Sequence, residues 1–290
     1  MSELYVGHNV RGGADLCCNI LKDNYSNAGQ IFTRPPHQFK IHPYDFDKWE
    51  KLKNQIIKNK MKIVIHGSYL INFCKSHLED YVYKVLIEDL KISEHINSLG
   101  VIIHMGHNTE KVDDEIAFNN YIKHLTKVLE MTSHLSAKII LETGAGQGKE
   151  IATRLNELGK IRKSLPDNLA KRVSFCLDTC HMFSAGYDLR NKLIVSSLEN
   201  YIEMTLGWDN ISVIHLNDSK CGFNCKKDRH EDIGFGFITN KMKHNIGFIK
   251  FIKICVKYKV PLVLETIEEF TNYSNQISML KSWILDFNFI

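Results

Sequence analysis

The chain has 290 residues, 44% of them hydrophobic and 24% charged, with a net charge of +4. This composition excludes a disordered or fibrous protein, and the length suffices for a large buried core. No apolar run reaches the roughly 18 residues that span a bilayer, and the first residues carry no basic and apolar leader, so an intracellular protein, neither secreted nor membrane-bound, is expected.

Short runs rich in β-branched residues recur along the chain, at residues 5–10, 30–33, 63–66, 101–104, 138–142, 173–178, 213–217 and 262–265. They show little polar alternation, which is the pattern of parallel strands covered on both faces. Between the third and fourth runs, Leu78, Val82, Val85 and Leu86 repeat at helical spacing, with Gly100 beyond them as a stop. Further helices are predicted over residues 113–135, 150–163, 193–206 and 246–258. Eight strand-plus-helix units predict an α/β fold, a (β/α)8 TIM barrel forming a single domain over residues 1–290. From the pattern alone, a doubly wound open sheet is the alternative.

Six consecutive runs, the third to the eighth, close on a His, Asp or Glu: His66, His104, Glu142, Asp178, His215 and Glu265. In a barrel these ends converge on the C-terminal face, where active sites of this fold are found. An isolated ionisable group at the end of an apolar strand is costly unless it is paired or metal-bound. Three more residues join them. His181 follows Asp178 at a spacing that a turn brings together, and Asp228 and His230 alternate so that both point to one side of an extended loop. Five imidazoles and four carboxylates form a donor set preferred by Zn²⁺ and tolerated by Mn²⁺ or Fe²⁺. One ion needs only about four ligands, so the set points to more than one.

Other features carry less. Gly144, Gly146 and Gly148 follow a strand but lack the spacing of a dinucleotide-binding loop, and read as a flexible active-site loop. Cys221 and Cys225 have no second pair at zinc-knuckle spacing. The eight cysteines, including vicinal Cys17 and Cys18, are expected to be reduced thiols.

Taken together, the motifs 66–72 (His-Gly-Ser-Tyr-Leu-Ile-Asn), 141–148 (Leu-Glu-Thr-Gly-Ala-Gly-Gln-Gly), 177–181 (Leu-Asp-Thr-Cys-His) and 228–230 (Asp-Arg-His) resemble the endonuclease IV family of apurinic/apyrimidinic endonucleases, in order and nearly end to end. The resemblance implies a TIM barrel with a trinuclear zinc cluster, with Mn²⁺ admissible at one position. It assigns His66, His104 and Glu142 to one ion. Glu142 bridges to a second, shared with Asp178, His215 and Glu265, and His181, Asp228 and His230 hold the third.

The implied reaction is hydrolysis of the phosphodiester 5′ to an abasic site in double-stranded DNA, with trimming of blocked 3′ ends. Glu142 would act as the bridging catalytic carboxylate, and Glu265 would orient or deprotonate the attacking water. Tyr69, Leu70, His37, Gln38, Lys226, Lys227 and Arg229 are the expected DNA contacts, and the protein is expected to work as a monomer. His37 stands where the family usually has an arginine, after two prolines, Pro35 and Pro36. A metal-dependent sugar isomerase on the same barrel and a non-catalytic lesion binder are the alternatives.

Overall fold

A computed structural model describes residues 4–11, 13–239 and 245–286. Its strands are β1 (Val6–Asn9), β2 (Ala28–Phe32), β3 (Lys62–His66), β4 (Val101–Ile103), β5 (Ile139–Glu142), β6 (Val173–Asp178), β7 (Ile211–His215), β8 (Asp218–Ser219), β9 (His230–Glu231) and β10 (Leu262–Leu264). The helices are α1 (Cys17–Asp23), α2 (Phe46–Lys58), α3 (Asp80–Ile96), α4 (Asp114–Met131), α5 (Leu155–Lys163), α6 (Asp167–Ala170), α7 (Thr179–Ala185), α8 (Lys192–Thr205), α9 (Ile246–Lys257) and α10 (Tyr273–Leu285).

Strands β1 to β7 and β10 close into a parallel barrel in the order β1-β10-β7-β6-β5-β4-β3-β2. The two-residue strands β8 and β9 pair antiparallel outside it, Ser219 opposite His230. All eight predicted runs overlap a barrel strand. The open-sheet alternative fails because β1 pairs with both β2 and β10.

The barrel has two separate apolar clusters. The larger packs between the strands and the surrounding helices. The smaller takes one side chain each from β2 to β7 and β10: Ala28, Val64, Ile102, Ile140, Cys176, Val213 and Val263. In register, Gly7 of β1 pairs with Ala28 on one side and Val263 on the other. A Cβ on Gly7 would lie 1.5 Å from the Ala28 carbonyl oxygen, so the eighth place in this ring has no side chain. Fully burying each Val or Ile of this ring contributes about 1.5–3 kcal/mol, so the ring stabilises the barrel interior.

The helices differ from expectation at informative places. The helix predicted over 150–163 begins only at Leu155. Glu150 is used otherwise: its carboxylate turns back to accept from the Gly146 and Gln147 amides, at 2.8 and 3.3 Å. The glycine segment read as flexible is thereby tied down. Helix α3 stops at Asn97, in the left-handed conformation at φ 53°, three residues before the expected Gly100. Helices α1, α2, α6, α7 and α10 are additions to the predicted set. Among them, α2 buries Trp49, Leu52 and Ile56 along one face and is capped by the Asp45 side chain.

Candidate metal centre

Two residues beyond each member of the apolar ring, the same strands present Asn9, Gln30, His66, His104, Glu142, Asp178, His215 and Glu265. Side chains alternate along a strand, so a step of two returns to the barrel interior one layer higher. The polar ring therefore stands directly on the apolar one. Glu142, Asp178, His66 and His215 are almost wholly buried.

The His, Asp and Glu donors fall into three groups linked through Glu142 and Asp178, with Cys176 close to Glu142 and His215 and Cys180 close to Asp228 and His230. In the first, His66 Nε2 and His104 Nε2 lie 3.4 and 3.6 Å from Glu142 Oε2. The second joins Glu142 with Asp178, His215 and Glu265. Here His215 Nδ1 lies 2.8 Å from Glu142 Oε1 and 2.9 Å from Glu265 Oε2. In the third, Asp228 Oδ1 lies 3.1 Å from His181 Nε2 and 3.2 Å from His230 Nε2. Asp178 also reaches this group, its Oδ2 lying 3.4 Å from His230 Nε2. All nine predicted ligands are thus brought together.

Local structure fixes how each is presented. Asp178 ends β6 and caps α7, its Oδ1 accepting from the His181 amide at 2.8 Å. This puts His181 on the first turn of α7, facing the cluster. The β8–β9 pairing holds His230. Asp218 shapes the segment after it, accepting from the Gly236 and Ile238 amides at 3.0 and 2.9 Å. For three of the imidazoles, ring orientation is set from the far side. His66 Nδ1 bonds the Gly67 carbonyl at 2.8 Å, and His181 Nδ1 the Thr143 carbonyl at 2.7 Å. His215 is reversed: its Nε2 donates to Gln30 Oε1 at 2.8 Å, leaving Nδ1 toward the carboxylates. Gln30 Nε2 in turn donates to Glu265 Oε1 at 2.6 Å, and Asn217 Nδ2 donates to Asp178 Oδ2 at 2.7 Å.

The electrostatics suit a cation. Burial disfavours the charged form of Glu142, but the His215 and His104 imidazoles outweigh it and hold the carboxyl well below the usual range. Burial pushes His104 down to about 4, with Glu142 offsetting only part of this. For His230 burial is overcome by Asp178, which raises it to about 9. The carboxylates thus draw protons onto imidazoles that a cation would displace. Glu142 Oε2, His181 Nε2 and His230 Nε2 are buried with no hydrogen-bond partner in the protein. Orphan atoms of this kind are costly unless something else satisfies them. A set of imidazoles and carboxylates with open lone pairs fits divalent zinc-like ions.

Above the cluster opens a cavity of about 540 Å³, lined among others by His37, Tyr69, His104, Arg229 and His230. Tyr69 and Leu70 are 40% and 45% exposed. The Tyr69 ring meets His66 and His104 edge-on at 4.9 and 5.2 Å, with His37 at 5.3 Å. Gln38 is exposed on the same loop, its amide donating to the Pro35 carbonyl. Arg229 lines the cavity; Lys227 is exposed elsewhere, and the Lys226 ammonium donates to the Ala185 carbonyl at 3.3 Å. Lys220, absent from the predicted contacts, stands at the cavity beside Arg229 and pairs with Glu269. Asn9, Gln30 and Asn217 are likewise additions to the predicted site. Their signal is present in the sequence, since Asn9 and Gln30 occupy the same inward position as the candidate ligands, but amides carry no charge that would stand out at an apolar strand end. Cys17 and Cys18 are buried, and neither Cys221 nor Cys225 joins a candidate ligand group among the described residues.

The profile of a family described as "Xylose isomerase-like TIM barrel" (AP endonuclease 2) matches residues 26–283. A "Putative endonuclease 4" of Acanthamoeba polyphaga mimivirus is 35% identical over 270 residues, covering 88% of this chain and 85% of that protein. A "Probable endonuclease 4" of Aster yellows witches'-broom phytoplasma is 37% identical over 227 residues, covering 76% and 73%. The crystal structure of endonuclease IV from Thermus thermophilus superposes with a TM-score of 0.78 at 22% identity, over 97% of this chain and 99% of that one, a likeness of fold. With a closed eight-stranded barrel, a ring of metal-capable donors at its mouth and relatives of this similarity along most of its length, the chain belongs to the endonuclease IV family of enzymes.

Proposed function

We propose that this chain is a zinc-dependent DNA-repair endonuclease. It hydrolyses the phosphodiester 5′ to an abasic site in duplex DNA, leaving a 3′-hydroxyl and a 5′-deoxyribose phosphate, and trims blocked 3′ ends. The observation that carries this reading is the trio of donor groups linked through Glu142 and Asp178, with Glu142 Oε2, His181 Nε2 and His230 Nε2 buried and without a hydrogen-bond partner in the protein.

His66, His104 and Glu142 would hold one zinc ion, Glu142, Asp178, His215 and Glu265 a second, and His181, Asp228 and His230 a third. Mn²⁺ is admissible at one of them. Bound zinc lowers the pKa of water to about 7 and offsets the charge of a phosphodiester. The protein side chains do the rest. Glu265, pinned by Gln30 and His215, orients the attacking water or takes its proton. Tyr69 and Leu70 stand exposed at the rim, where apolar side chains can fill the space left by an extruded sugar. Arg229, with Lys226 and Lys227, supplies positive charge for the phosphates. The enzyme acts as a monomer. Among the described residues, no helix is long and apolar enough to cross a membrane.

A nicking assay on a duplex with one abasic site tests the reading. Chelation followed by zinc should abolish and then restore cleavage, with circular dichroism showing that the fold survives. Full activity in protein shown metal-free by elemental analysis overturns it. One or two bound ions per chain without nicking would favour a sugar isomerase.

A further inference from the structure

The segment joining β2 to α2 borders the mouth of the cavity through His37, yet its one arginine does not face that mouth. The Arg34 side chain is only 5% exposed and its partner Asp89, on α3, only 1%. Arg34 Nη2 donates to Asp89 Oδ1 at 2.5 Å and to the Val85 carbonyl at 3.4 Å. Its other terminal nitrogen, Nη1, donates to the Lys40 carbonyl at 3.1 Å. The Thr33 hydroxyl donates to the same Asp89 oxygen. One buried guanidinium therefore fastens both ends of residues 33–40 to α3.

The middle of the segment is held from the other side. The Pro36 carbonyl accepts from the Tyr69 amide and the Ser68 hydroxyl, both at 2.9 Å. Phe39 packs on Tyr81 of α3 at 5.2 Å between ring centres. Pro35 and Pro36 have fixed φ, which removes further freedom. Stability alone does not account for the pair. Arg34 Nε and Asp89 Oδ2 are buried without a hydrogen-bond partner in the protein, and burial pushes the Asp89 carboxyl up despite Arg34. A well-packed apolar pair at such a place is often as stable or more so. What an apolar pair lacks is direction: only a forked donor ties Lys40, Val85 and Asp89 at once.

We propose that Arg34, through Asp89, is a positioning residue that presents His37 and Tyr69 to the substrate, and is not itself a phosphate contact. This rests on the duplex-cleaving reading above. It assigns Arg34 to the geometry of substrate binding and leaves the chemistry at Glu142 untouched.

The test uses the zinc-loaded protein and a duplex with one abasic site. The double variant Arg34→Met with Asp89→Leu avoids a stranded charge and should fold and bind metal like the wild type, checked by thermal melting and elemental analysis. KM should rise at least tenfold with kcat within threefold of the wild type. Arg34→Lys keeps the charge opposite Asp89 but loses the fork, and should raise KM by a smaller factor. The slope of log affinity against log salt should be unchanged in both. An unchanged KM in the double variant overturns the proposal. So does a slope smaller by about 0.9, the signature of one lost phosphate contact. Wild-type protein that does not nick the duplex defeats the functional reading itself, whereas wild-type nicking with unaltered variants defeats only the clamp.

Discussion

Two rings of side chains share the inside of this barrel, one layer apart, and they obey opposite rules. The lower ring, from Ala28 to Val263, is apolar and packed side chain against side chain, with Cys176 alone reaching toward Glu142 and His215 above. The upper ring, two residues on, has carboxylates and imidazoles in van der Waals reach of one another and leaves Glu142 Oε2 without a hydrogen-bond partner in the protein. The backbone geometry is the same in both; only the side chains change at each step of two. The lower ring supplies the packing that the upper ring could not, and the upper ring has binding capacity because some of its buried atoms, Glu142 Oε2 among them, have no hydrogen-bond partner in the protein. The strand period thus separates stability from chemistry by about 7 Å of chain.

The comparison breaks most visibly at Glu142. Glu142→Gln keeps the side-chain shape and removes the shared charge, and turnover on abasic duplex should fall at least about a thousandfold, the scale of a principal electrostatic contribution. Binding of the duplex should change far less. A near-normal turnover number would separate Glu142 from the chemistry. The lower ring should respond in stability instead. Ile140→Ala, two residues earlier on the same strand, should cost about 2–5 kcal/mol in urea unfolding with metal content intact. If metal is lost first, the rings are not independent.

Gln30 sharpens the boundary between them, because it is neutral yet holds two candidate ligands, His215 and Glu265. Gln30→Leu should weaken zinc affinity about 10–100-fold in a chelator competition while the unfolding midpoint of the metal-free protein stays close to wild type. The smallest effect is expected above both rings. Tyr69→Ala with Leu70→Ala should weaken binding to abasic duplex by about 1–3 kcal/mol, as for a lost stacking contact, and should affect cleavage of a blocked 3′ end less. Equal losses on both substrates would make the pair part of the scaffold.

The barrel and the clustering of the nine donor side chains were legible in the sequence for a single reason. Parallel strands covered on both faces are continuously apolar, so a His or Asp that closes one stands out against Ile and Val. Boundaries blurred where a polar residue had a use other than the one its spacing suggested. Glu150 fits a helix pattern but is spent on the Gly146 and Gln147 amides. Asn9 and Gln30 sit at the same inward step as the candidate ligands but carry no charge. Arg34 has the composition of a surface residue, and only the tertiary contact with Asp89 turns it inward. Helix α1 is short and α7 wholly buried, so neither offers the one-sided pattern that marks a surface helix.

Asp178 has a consequence of another kind. Its two oxygens are divided between a backbone and a cluster: Oδ1 caps the first turn of α7 at His181, while Oδ2 faces His230 and His215. A carboxylate pulled toward a cation would loosen its hold on that amide, and one released would tighten it. The exchange of a single amide hydrogen, that of His181, should therefore report whether the centre is loaded, without any substrate present. Neither Asn nor Glu can replace it, since one lacks the charge and the other moves the cap by a methylene. With a cation bound, the start of this seven-residue helix would respond to the occupancy of the barrel mouth.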